Sequence, residues 1–206
     1  RNYLNNLPTY PFQREKYWFT SSSTKPNKNK QIKGHPLLGN QLILAKSDTI
    51  LFESEISQDE PNFLQDHRVF DKVILPGAGF LEMALSAGIK ALNTQAIILE
   101  SVAIQKPLIL QEDSEKKIQT FLTPKEDENT YIYEIFSQEE SNWKLHAKGQ
   151  ILSTENKIIK ANLNDIKEEC NILVDTVEYY QKLAQRGVHL DTNFQAIKKL
   201  WKNKSE

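Results

Sequence analysis

Between Ile50 and Ile56 the chain alternates in polarity: Ile50, Phe52 and Ile56 fall on one parity, Glu53 and Glu55 on the other. That period of two predicts a half-buried strand over 50–56. Apolar segments bounded by turn-forming residues predict further strands at 41–45, 95–104, 107–111, 116–123, 130–137 and 142–152, with turn clusters at Glu112–Glu115 and Pro124–Asn129. Residues 77–92 follow the helical period instead. Glu82, Ser86 and Lys90 form one polar stripe at i, i+4 spacing and almost everything else is apolar, so this helix is expected to be buried on most of its surface. One buried helix followed by a run of antiparallel strands predicts an α+β layer in which a sheet wraps the helix. A second helix is predicted over 175–186, with Asp175 as its N-cap and Gly187 at its end.

Other stretches carry no period. Residues 1–18 hold two prolines and five aromatics, which suggests an extended strap packed on another surface. Residues 19–34, rich in Ser, Lys and Asn, read as a flexible linker, and 154–174 reads as a second one. The stretch Phe194–Trp201 starts a further element that the chain does not finish. No internal repeat is visible.

With 39% hydrophobic residues in 206, a substantial core can form. The net charge of −1 is spread along the chain, which gives no electrostatic case for nucleic acid or an anionic membrane. The apolar runs are too short to span a bilayer, and the first residues do not resemble a secretory signal. Cys170 is the single cysteine, so no internal disulfide forms, and no Cys/His cluster has zinc spacing. A soluble cytoplasmic protein without a metal is expected.

The candidate chemistry lies in His67-Arg-Val-Phe-Asp71-Lys-Val-Ile-Leu-Pro76-Gly77-Ala78-Gly79. A titratable imidazole sits on an apolar strand-like segment, and a Pro-Gly start opens the helix nine residues later. That order sets a base beside backbone N–H groups at a helix N-terminus, an arrangement suited to taking a proton from a carbon next to a carbonyl. Gly77 and Gly79 fit close helix–sheet packing as well as substrate approach. Pro76 positions the turn. Asp71 reads as a solvated turn residue, and His35, His146 and His189 read as structural.

The order of the segments resembles the dehydratase domain of modular type I polyketide synthases. Leu7-Pro-Thr-Tyr-Pro-Phe-Gln-Arg-Glu-Lys-Tyr-Trp18 is similar to the segment that follows the acyltransferase domain there. His35-Pro-Leu-Leu-Gly39 resembles the opening of the dehydratase, and Trp143-Lys-Leu-His146-Ala-Lys-Gly149 resembles the strand closing its first half. His67-x3-Asp71-x4-Pro76 resembles the family's His-x3-Gly-x4-Pro motif, with Asp71 in place of the glycine. Gly187 to Phe194 sits where the family has Gly-x-x-Tyr-Gly-Pro-x-Phe, with Leu190-Asp191-Thr192 in place of Tyr-Gly-Pro.

The resemblance implies a hot-dog fold, an antiparallel sheet wrapped around a central helix. Residues 35–153 would be the first half of a double hot dog and 175–206 the start of the second. It implies dehydration of a β-hydroxyacyl thioester, with His67 as general base. The backbone N–H groups of Gly77 and Ala78 would meet the thioester oxygen, and Pro76 would line the substrate site. The acid would be an Asp of a His-Pro-x-Leu-Leu-Asp-x3-Gln motif beyond Glu206, so the chain alone is expected to be inactive. No cofactor is implied beyond the phosphopantetheine arm of an acyl carrier protein. The implied partners are that carrier protein, adjacent ketosynthase–acyltransferase domains and a second copy in a homodimer. Alternatives are a non-catalytic structural module of the synthase, or a hot-dog thioesterase or cyclase.

Overall fold

The computed structural model describes residues 34–126, 129–154 and 162–203. The strap at 1–18 and all but the last residue of the linker at 19–34 lie outside the described residues. The described residues belong to one unit, Ile32–Glu206.

The main sheet is antiparallel. Its strands are β1 (Asn40–Leu42), β2 (Ile50–Ile56), β5 (Ile97–Ile104), β7 (Lys116–Pro124), β8 (Thr130–Glu139) and β9 (Asn142–Ser153), in the spatial order β1-β2-β7-β8-β9-β5. It wraps helix α1 (Gly77–Leu92), the arrangement expected from the polarity pattern. From α1, Phe80, Met83, Ala84 and Ala87 enter a core with Phe52, Ile118, Leu122, Tyr133, Ile135, Ala147 and Ile151. These sheet residues share one face because alternate side chains of a strand point the same way.

The polar stripe of α1 also has a structural job. Glu82 accepts from His35 Nε2 at 3.1 Å and from Ser86 Oγ at 3.2 Å. His35 Nδ1 in turn accepts the N–H groups of Leu37 and Leu38, at 3.3 and 3.1 Å. The His35-Pro-Leu-Leu-Gly39 segment is thus a turn closed by its own histidine and tied to the helix, with Leu37 and Leu38 buried beneath it. Gly39 has φ 71°, and a Cβ there would sit 2.0 Å from the Glu53 carbonyl oxygen, so no other residue fits.

A smaller sheet carries the candidate site. It contains β3 (His67–Val69), β4 (Lys72–Ile74), β6 (Ile109–Leu110) and β11 (Val188–Leu190), in the order β11-β3-β4-β6. The strand expected at 107–111 is only β6, since Pro107 has no N–H to give to a ladder. The stretch 154–174 holds more than a linker. Residues 155–161 lie outside the described residues, but α2 (Leu163–Glu169) and β10 (Ile172–Val174) follow. Helix α2 buries none of its residues, which is why no apolar period marks it. Strand β10 pairs with β12 (Leu200–Lys202), where the sequence showed only the start of an element. Helix α3 (Thr176–Gln185) begins as expected, with Asp175 Oδ1 accepting the N–H groups of Val177 and Glu178.

Candidate active site

His67 opens β3, directly after a short 3-10 helix, Asn62–Asp66, anchored by the buried Leu64. Strands β3 and β4 are joined by Phe70 and Asp71, with φ of 48° and 62°. Two left-handed residues between paired strands make the tight hairpin turn whose twist matches the strands. Asp71 therefore occupies a glycine-favouring position on an exposed turn, and aspartate is among the side chains that accept it.

The hairpin brings the His67 ring back over β4. Its Nδ1 lies 2.8 Å from the carbonyl oxygen of Ile74. A carbonyl can only accept, so Nδ1 carries the proton of the neutral ring. Nε2 is then left with a lone pair, the form a general base needs. Beside the ring lies Phe194, with centroids 5.3 Å apart and planes inclined by 54°, and Phe63 packs on Phe194 at 6.4 Å.

Phe194 reaches this place because the chain from 187 to 194 runs along β3. Leu190 pairs with His67, His189 with Arg68 and Val188 with Val69. Phe70 donates its N–H to Gly187 O at 2.7 Å, and Asp191 donates to Asp66 O at 3.0 Å. Asn193 donates its backbone N–H and its Nδ2–H to Asp66 Oδ2, at 3.2 and 2.6 Å. The two motif regions that the sequence shows far apart form one antiparallel ladder. Leu190-Asp191-Thr192 lies at the end of that ladder beside the imidazole. Phe194 and Ile74 as neighbours of His67, and Asn193 as the partner of Asp66, were not predicted from the sequence; the motif spacing at Gly187–Phe194 was the available signal for Phe194.

Helix α1 starts three residues after Ile74, with Pro76 as its N-cap and no side chain closing its first turn. Gly77 and Ala78 are exposed there, and their N–H groups precede the first intrahelical bond. A Cβ at Gly79 would lie 2.9 Å from Leu75 Cδ1, so this glycine serves packing. At Gly77 a Cβ would meet only Ile104 Cδ1, at 3.3 Å, which leaves its other side open.

The remaining histidines lie elsewhere. His35 closes its turn, and His189 is exposed on β11. His146 is 1% exposed on β9 and fully hydrogen-bonded. Burial holds its pKa below the ordinary imidazole value, against a backbone hydrogen bond that favours charge. Among the described residues no group of three His, Cys, Asp or Glu could hold a metal ion. No helix of the described residues is long and apolar enough to cross a membrane.

A sheet wrapped on one helix, with a histidine beside the helix start, is a hot dog with a potential acid–base site. Comparison with known proteins identifies its class: residues 35–138 match the model of the polyketide synthase dehydratase domain, and the chain belongs to that family. Among solved structures, it resembles the dehydratase domain from the CurF module of curacin polyketide synthase, with TM-score 0.78 and 35% identity over 82% of this chain and 63% of that one. The dehydratase domain of the polyketide PpsC from Mycobacterium tuberculosis gives TM-score 0.70 at 26% identity, over 84% of this chain and 60% of that one. Among curated proteins, mycoketide-CoA synthase of Mycobacterium tuberculosis is 28% identical over 95% of this chain. Polyketide synthase GfsE of Streptomyces halstedii is 29% identical over 98% of it. The chain spans only 5% of the length of either synthase.

Proposed function

We propose that this chain supplies the base side of a dehydratase that removes water from a β-hydroxyacyl thioester carried by an acyl carrier protein. His67 Nε2 takes the proton from the α-carbon. The electron pair of that C–H bond becomes the new double bond as the β-hydroxyl leaves. A carboxylic acid of the second hot dog protonates the departing oxygen as water, so an α,β-enoyl thioester remains. The N–H groups of Gly77 and Ala78 hold the thioester oxygen while charge develops on it, helped by the positive end of α1. Pro76 shapes that entry. The substrate arrives on a phosphopantetheine arm, and the reaction needs no metal or redox cofactor. Neighbouring ketosynthase and acyltransferase domains and a second copy of the chain complete the assembly.

The observation that carries this reading is the 2.8 Å contact from His67 Nδ1 to Ile74 O, which leaves Nε2 free as a base. The test uses the complete synthase and a β-hydroxyacyl thioester. His67→Ala should lower enoyl product formation by at least roughly a hundred-fold. Unchanged dehydration would remove His67 from the mechanism. The second reading, a non-catalytic module, is favoured by Leu190-Asp191-Thr192, whose Leu190 pairs with His67, in place of the family's Tyr-Gly-Pro. Absence of both enoyl product and free acid from the unmodified synthase would decide for it, whereas free acid would mark a thioesterase.

A further inference from the structure

We propose that His146 is a positioning residue, which sets the orientation of the His67 imidazole through the crossover between β5 and β6. The proposal rests on the reading of His67 as the base. His146 grips that crossover from two sides. Its backbone carbonyl accepts the N–H groups of Gln105 and Lys106, at 2.7 and 3.4 Å, and its Nδ1 lies 3.0 Å from Lys106 O. Because a carbonyl only accepts, Nδ1 is the donor, and Nε2 accepts from Ser137 Oγ at 2.7 Å. Both ring nitrogens are thereby committed, and the tautomer is fixed.

The crossover hands this order on to the candidate site. Past Pro107, Leu108 O accepts the N–H of Leu75 at 2.9 Å, and Ile109 pairs with Ile74. Ile74 O is the group that holds His67 Nδ1. The His146 ring also stacks on Phe80, at 6.1 Å between centroids and 15° between planes. Phe80 is the fourth residue of α1, so His146 touches the helix whose N-terminus offers donors and the crossover that leads to the strand orienting the base. An apolar side chain would fill this buried position without the cost of burying two polar nitrogens. What an apolar residue cannot do is donate to Lys106 O while accepting from Ser137.

Substitutions separate these roles. Asn places its amide nitrogen near the position of Nδ1, whereas Gln reaches toward Nε2 and lacks the near donor. Imidazole ¹⁵N spectra of the full chain read the His67 tautomer without any substrate. The unmodified chain should show His67 as a single tautomer protonated at Nδ1, and His146→Asn should keep it. In His146→Gln the two His67 nitrogen resonances should move toward each other, marking a mixture. In the complete synthase the same variant should lose on the order of ten-fold in kcat with KM nearly unchanged. A single Nδ1–H tautomer of His67 in His146→Gln would overturn the proposal. Should that variant fail to fold, His146→Leu, which fills the buried position but has no donor for Lys106 O, is read in its place: a mixture supports the coupling, and a pure tautomer overturns it. Retained dehydration in His67→Ala would defeat the base assignment alone and leave the tautomer result standing.

Discussion

Asp66 accepts two hydrogen bonds from Asn193 across 127 residues of sequence, at 3.2 Å from the backbone N–H and 2.6 Å from Nδ2. This tie holds the turn that carries Phe194 against the His67 ring. Asn193 is exposed, Asp66 is half-buried and the hydrogen bonds between them lie at the surface, so Asp66→Ala should cost only about 0.5–1 kcal/mol of stability in urea titration. Dehydration by the complete synthase should also fall, by roughly five-fold, because a small displacement of the base costs rate as well as folding energy. Combining Asp66→Ala with Asn193→Ala should add little further, since one interaction is lost either way. Additive losses from the pair would show that the two residues act separately.

Asp71 occupies a left-handed position, φ 62°, in the exposed turn between β3 and β4. Glycine has no Cβ penalty there. Asp71→Gly should therefore raise stability by about 0.5–1 kcal/mol, measured by denaturant midpoint, with dehydration unchanged or faster. A destabilised Asp71→Gly chain would mean that the carboxylate makes a contact worth more than the backbone strain.

The parts of this fold that were legible are those with a local cause. Strand β2 alternates in polarity because one face enters the core, β7 and β8 stand out as apolar segments between turn clusters, and α1 shows its single polar stripe because the rest of its surface is buried. The cap at Asp175 and the stop at Gly187 depend on one residue each. Strands β3, β4 and β11 have three residues apiece, too few for alternation to register. In the site, His67 and the Pro76–Gly77 helix start were legible because they are near in sequence. Ile74 was not, since every residue offers a carbonyl and only the hairpin geometry selects this one. Phe194 was placed on the imidazole by the register Leu190 to His67, a long-range pairing that no local pattern encodes.

Gly39 shows how tightly the His35 turn is built. With φ 71° and the Glu53 carbonyl oxygen 2.0 Å from any added Cβ, Gly39→Ala must push β2 away or break the turn. The expected loss is about 2–4 kcal/mol, at the large end for a point substitution. Differential scanning of both chains measures it. A loss below about 0.5 kcal/mol would show that the turn shifts freely, and that the His35–Glu82 tie does not depend on it.

The buried His146 makes stability depend on pH, and the sign follows from its surroundings. Burial lowers its pKa in the folded chain, and Lys144 on β9 and Lys116 on β7 act the same way. The backbone hydrogen bond to Lys106 and the carboxylate of Glu139 on β8 act against them but do not reverse the shift. The unfolded chain keeps an ordinary histidine value, about 6.5. Below that value the unfolded state binds more protons than the folded one, so acid favours unfolding. The stabilising contribution of neutral His146 is complete above about pH 6.5 and is lost as pH falls through the lower, folded pKa. Urea midpoints measured at about pH 7.5 and about pH 5.5 should therefore differ, with the acid sample weaker. In His146→Asn, which cannot titrate, that difference should shrink. An equal acid-side loss in His146→Asn would assign the effect to other groups and leave His146 without a part in it.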